Sequence, residues 1–183
     1  KAKANSNLSK IDKIGNIYHN ANYKISRTNI SNLSDRYTEF VEETKNREDE
    51  FDCNNVTDVP PIECNALVAL YESTNGTGWN NSSNWLSSTT VADWYGTEVS
   101  DGHVINLYLS FNNLDGPLPP ELGNLINLRW INFMANKISG NIPLELCDLS
   151  KLTGLILYDN QLSGEIPSEL GNLNQLRNLD LGS

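Results

Sequence analysis

Histidine occurs only at His19 and His103, and neither position belongs to a nucleophile motif or a metal-ligand spacing. There is no phosphate loop and no nucleophile elbow, so the sequence gives no support for an enzyme, a cofactor or a metal. Runs of about 18 apolar residues, the length that spans a bilayer, are also missing. Basic side chains are scarce beyond residue 50: residues 51–183 hold four Lys/Arg against fifteen Asp/Glu, a balance of −11. Such a surface repels nucleic acid and anionic membranes. Lys1 is preceded by no methionine and followed by no signal-like apolar stretch, which predicts a removed leader or a fragment.

Cysteine is limited to Cys53, Cys64 and Cys147. The Cys53 to Cys64 spacing suits a small disulfide loop and matches no zinc pattern. If formed, the bridge would contribute about 2–4 kcal/mol and place the protein outside a reducing cytosol. The sequons at Asn7, Asn29, Asn32, Asn55, Asn75, Asn80 and Asn81 all precede residue 82. As candidate glycosylation sites they point weakly the same way. Cys147 has no evident mate.

The second half of the chain repeats its chemistry every 24 residues. Asn112, Asn136 and Asn160 coincide, as do Gly116, Gly140 and Gly164, then Pro119, Pro143 and Pro167. Leucines follow at 122, 146 and 170, at 125, 149 and 173, and at 128, 152 and 176. The alternation in Leu107-Tyr-Leu109, Ile131-Asn-Phe133, Leu155-Ile-Leu157 and Leu179-Asp-Leu181 predicts short strands with one buried face, paired in parallel from copy to copy. The asparagine three residues after each strand can satisfy backbone groups left open by the turn, and a ladder of them would join neighbouring coils. Glycine then permits a bend, and proline removes a donor where no ladder partner is available. One or two helical turns follow, with Glu121, Glu145 and Glu169 near their starts. That acidic column reads as a solvated face rather than a cation site. No coil can bury its leucines alone, so the copies must stack into a solenoid.

The pattern LxxLxLxxNxLxGxIPxxLGxL resembles the plant-type extracellular leucine-rich repeat. The resemblance implies an α/β solenoid, a right-handed coil with parallel strands on its concave face. "ECNALVALYESTNGTGWNNSSNWL", "DWYG" and "HVINLYLSFNNLDG" resemble the N-terminal cap that accompanies such repeats in secreted bacterial, algal and plant proteins. That cap often carries C-x-W-x-G-V-x-C. Here Ala92 and Val99 stand at the two cysteine positions, which predicts a dispensed disulfide with apolar packing in its place. In the cap, Ala66, Leu67, Leu70 and Tyr71 have helical spacing, and Trp79, Trp85 and Trp94 read as core plugs rather than sugar platforms.

Three regions follow: an N-terminal segment over 1–51, the cap over 52–103, and repeats over 104–183 with three full copies and the start of a fourth. In the first, Ile11, Ile14, Tyr18, Ala21 and Ile25 suit an amphipathic helix, and a second may be read from Ser34 or Asp35 through Tyr37, Phe40 and Val41. The chain stops inside a repeat, which predicts that the native protein continues or that another chain covers this end. Self-association through 1–51 or through that end is one further expectation.

The positions between and just after the buried strand residues face the concave side. Tyr108, Phe111, Trp130, Asn132, Met134, Ile156, Tyr158, Asp159 and Asp180 are the candidate ligand-binding residues there. The aromatic and apolar members form a patch of the kind that marks interaction sites, unless another part of the assembly covers it. The leading expectation is an extracellular or cell-surface recognition module for a protein or peptide, with a carbohydrate as the other candidate ligand. The alternative is a structural subunit of a surface assembly.

Overall fold

The chain divides into Lys1–Glu50 and Phe51–Ser183, and the computed structural model describes residues 51–182. The two helices expected before residue 50, and the sequons at Asn7, Asn29 and Asn32, lie outside the described residues.

Each 24-residue copy is one coil of a solenoid. Strand β2 (His103–Tyr108) pairs in parallel with β4 (Trp130–Asn132), β4 with β6 (Gly154–Ile156), and β6 with β8 (Asn178–Asp180). At the cap end, β1 (Thr97–Ser100) closes this sheet antiparallel to β2, with a bulge between Glu98 and Val99. Alternation sorts the side chains. Leu107, Ile131 and Leu155 face inward and are buried, whereas Leu179, in the last described strand, remains 47% exposed. Burying one such side chain stabilises the fold by about 1.5–3 kcal/mol, and only a neighbouring coil provides that cover.

A second parallel sheet was not expected. It contains β3 (Asp115–Pro117), β5 (Lys137–Gly140) and β7 (Gln161–Leu162). Glycine and proline here had suggested a bend without ladder partners, yet Gly116 pairs with Ile138 and Gly140 with Leu162. The bend is real as well: Gly140 and Gly164 have φ of 76° and 81°, the left-handed region that glycine enters at little cost. Short 3₁₀ turns at Pro120–Asn124, Leu144–Asp148 and Ser168–Asn172 complete the coils. Among them Leu122, Leu146 and Leu170 are buried, and Glu121, Glu145 and Glu169 are exposed.

The cap is built on helix α1 (Pro61–Ser73). Pro61 suits a first helical position because its missing N–H has no intrahelical partner there. Ala66, Leu67 and Leu70 are fully buried. Cys64 of α1 is bonded to Cys53, with their Cα atoms 5.7 Å apart. Trp79, Trp85 and Trp94 form one buried cluster, with ring centroids 4.8 Å apart for the first pair and 5.0 Å for the second. Each indole N–H is satisfied inside it, donating to the carbonyls of Thr74, Tyr95 and Ser88 respectively, each at 2.9 Å. These rings are core.

The packing expected at Ala92 and Val99 is only half present. Val99 rests against the core, but Ala92 is exposed. Polar contacts fix the loop instead. The Asp58 carboxylate accepts from the Val91 and Ala92 N–H groups at 2.8 Å each, and the Thr97 hydroxyl donates to the Val91 and Trp94 carbonyls. A carboxylate that collects two backbone donors replaces the covalent tie.

Candidate functional site

The register of the large sheet arranges its outward side chains in rows. Asn106, Trp130, Gly154 and Asn178 share one row, and Tyr108, Asn132, Ile156 and Asp180 the next. Backbone bonds continue past the strand ends, from Phe111 N to Met134 O, Ala135 N to Tyr158 O and Asp159 N to Gly182 O. Ser110, Met134, Tyr158 and Gly182 therefore form a third row. Rows of this kind are about 6–7 Å apart and their members about 4.8 Å apart.

Two aromatic side chains lean onto glycines of the next strand. A Cβ placed on Gly154 would stand 2.4, 2.5 and 2.6 Å from Cε3, Cζ3 and Cδ2 of Trp130. Three adjoining ring atoms at nearly equal distance mean that the face of the indole, not its edge, covers the glycine. In the third row a Cβ on Gly182 would meet Cδ2 and Cε2 of Tyr158 at 3.2 and 3.6 Å. The absent glycine side chain thus lets one face of the Trp130 ring rest on Gly154, while Trp130 keeps part of its surface exposed. Tyr108 and Tyr158 are 39% and 44% exposed, while Trp130, Met134 and Ile156 are half-buried.

The charged residues within these rows are acidic. Glu98 of β1 accepts from the Asn106 amide at 2.5 Å, which places it on the same face. Asp180 is exposed in β8. No Lys or Arg occupies a row position. Arg129 and Arg177 precede β4 and β8, the Lys151 ammonium donates to Asn127 at 2.6 Å, and Lys137 is in the other sheet. Burial, then the nearby Glu98 carboxylate, raises the Tyr108 phenol above its ordinary value.

Phe111 and Asp159, placed on the face by sequence, belong to its border. With Ala135 they occupy left-handed backbone, at φ of 55°, 58° and 55° respectively. They line an open groove of about 330 Å³ together with Asn80, Asn113, Asn136 and Lys137. Phe111 is 65% exposed. Asn132 uses its amide oxygen locally, accepting from Met134 N at 3.2 Å.

The asparagines at 112, 136 and 160 face inward and serve the scaffold. Asn136 Oδ1 accepts from the N–H groups of Asn112 and Leu114 at 3.0 Å, and its Nδ2 donates to Leu109 O and Phe133 O at 2.9 and 2.8 Å. Asn160 accepts from Ile138 N and donates to Phe133 O and Leu157 O. Asn112 makes the same exchange with the backbone of Asn81 in the cap. Among the sequon asparagines described, Asn55 and Asn75 are exposed, Asn80 donates to Phe111 O at 2.8 Å, and Asn81 Oδ1 accepts from the N–H and hydroxyl of Ser83.

One polar pair escaped the sequence reading. Glu63, buried in the first turn of α1, accepts from Val104 N at 2.8 Å and meets His103 Nδ1 at 2.6 Å. It fastens the cap helix to β2, a structural task signalled only by an acidic residue at a helix start. Among the described residues no cluster of His, Cys, Asp and Glu could hold a metal, and no helix is long and apolar enough to cross a membrane.

The coils, the two parallel sheets and the asparagine ladder define a leucine-rich repeat solenoid. Residues 103–125 and 151–173 match the Leucine Rich Repeat family, and residues 51–182 fold as plant-type leucine-rich repeats behind a disulfide-bonded N-terminal cap. Solved structures agree. The ectodomain of the plant membrane receptor kinase GASSHO1/SCHENGEN3 from Arabidopsis thaliana, in complex with CASPARIAN STRIP INTEGRITY FACTOR 2, is 30% identical with a TM-score of 0.60 over 66% of this chain and 15% of that one. The Arabidopsis receptor kinase HAESA, in complex with the peptide hormone IDA and the co-receptor SERK1, is 26% identical with a TM-score of 0.53 over 64% and 20%. The BIR3–SERK2 complex from Arabidopsis thaliana gives 26% and 0.54 over 67% and 68%. The chain thus spans a fifth or less of the GASSHO1/SCHENGEN3 and HAESA chains. No curated protein matches it significantly.

Proposed function

We propose that this chain is an extracellular recognition module that receives an extended peptide or a protein segment on the concave sheet. The observation that carries the reading is the packing of a Trp130 face on Gly154, which fixes a partly exposed aromatic side chain in the middle of the sheet. Little side-chain entropy remains to be lost there on binding, and tryptophan and tyrosine are the usual anchors of interfaces. Two of the similar structures hold a peptide hormone or a named protein factor, and the Cys53–Cys64 bond suits an oxidising compartment.

The test is selection of a displayed random dodecapeptide library on the full chain. Enriched peptides should bind the Trp130→Ala/Tyr158→Ala double variant at least tenfold more weakly while its circular dichroism and melting temperature stay near those of the parent. Unchanged binding, or no enrichment at all, refutes the assignment.

A further inference from the structure

We propose, resting on that reading, that the segment received by the concave face is cationic, with an Arg or Lys side chain stacked on the outer face of Trp130. Three observations converge. The indole rests on Gly154 by a face rather than an edge, and the face of an aromatic ring carries the negative lobe of its quadrupole, which attracts a cation. The carboxylates flank it. Glu98 is in the same row two strands to one side, because Glu98 pairs with Asn106 and Asn106 with Trp130. Asp180 is on the other side, diagonal to the Gly154 that the ring covers, through the Gly154–Asn178 and Ile156–Asp180 pairs. Diagonal neighbours stand about 7–8 Å apart, within reach of a long side chain. Finally, no row position is basic, and the few Lys/Arg of this half precede the strands or lie in the second sheet.

Burial, and after it the Glu98 carboxylate, opposes ionisation of the Tyr108 phenol. Burial disfavours any charge, but the Glu98 contribution favours an ammonium or guanidinium. An acidic ligand would be repelled, and a neutral one would leave the aromatic face with apolar contact alone. Arginine suits the site better than lysine, since a planar guanidinium can lie parallel to the indole and still direct N–H groups sideways to carboxylates.

The same library selection separates this proposal from its parent. Enriched peptides should be rich in Arg and Lys, and they should bind more tightly at 50 mM than at 500 mM salt, by about tenfold, as exposed charges are screened. Asp180→Asn and Glu98→Gln should each weaken them about two- to fivefold, the range for exposed pairs. Glu121→Gln with Glu145→Gln removes two charges from the 3₁₀ column away from the face and should change nothing. Equal weakening by that control pair would show generic attraction to an acidic chain and overturn the proposal. Neutral or acidic peptides that still depend on Trp130 and Tyr158 would overturn the cation and leave the recognition face standing. No enrichment would overturn both.

Discussion

Replacing Gly154 by alanine isolates the Trp130 platform from the scaffold beneath it. The new methyl would sit 2.4 Å from the indole, whereas carbon atoms in contact prefer about 3.5–4.0 Å. The ring must therefore lift by more than an ångström or swing to another rotamer. Nothing opposes the backbone, since Gly154 is not among the residues with positive φ. Two effects on stability then oppose each other. Alanine in a strand gains about 0.5–1 kcal/mol over glycine. Uncovering some 40–60 Å² of indole costs about 1–1.5 kcal/mol at 25 cal/mol per Å². The net change is within about 1 kcal/mol, so the variant should melt within a few degrees of the parent. The ring itself reports the outcome. Trp79, Trp85 and Trp94 are buried, so iodide quenching reads Trp130 above the other three. Gly154→Ala should raise the quenchable fraction, shift emission to the red and weaken the selected peptides about as much as Trp130→Ala does. Unchanged quenching with unchanged binding would refute the idea that this glycine holds the ring flat.

Asn136→Ala removes acceptors from two backbone N–H groups and donors from two carbonyls. Asn160 still serves Phe133 O, so three groups lose their partner, and at about 1 kcal/mol for each urea unfolding should show a loss of about 3 kcal/mol. Phe111→Asn should stabilise the chain by about 1 kcal/mol, because a bulky residue in left-handed backbone is strained and an exposed ring loses little burial. A lower urea midpoint for that variant would contradict the account. The Cys147 thiol is raised by burial and then by Glu169, Asp148 and Glu145. It should react slowly with iodoacetamide in the folded chain at neutral pH, and faster in the Glu145→Gln/Glu169→Gln variant. Because the unfolded thiol ionises first as pH rises past about 9, stability contributed at this site should fall through that alkaline range, a trend absent from Cys147→Ala.

The coils were legible because a 24-residue period leaves the same mark in every copy. Leucines that must meet inside recur at fixed spacing, and the asparagine that closes each turn has no apolar substitute. The cap was legible through Trp79, Trp85 and Trp94, whose size requires burial. The second sheet was not. Its strands are two to four residues long and two of the three contain glycine or proline, so they show no alternation, and their pairing is imposed by the coils rather than chosen by their side chains. The lie of Trp130 was hidden for a related reason, since the residue that permits it is 24 positions away and has no side chain to announce itself. Phe111 was read as a concave-face position just after the strand, but its left-handed backbone, shared by Ala135 and Asp159 at the same step of the next two coils, is not announced by a bulky side chain. Ala92 was assigned to packing by analogy with the family cap, but the Asp58 carboxylate already held that loop.

The asparagine rungs carry one more consequence. Asn136 and Asn160 both reach back to residues 22 positions earlier in the preceding coil, so every joint assumes the same contour length. Inserting a single residue between two rungs would throw the joint that spans it out of phase, while removing or duplicating a full 24-residue unit would leave each remaining joint intact. Such a chain tolerates changes in length only in whole coils, and its reach toward a partner can be lengthened or shortened by cutting and rejoining at equivalent positions.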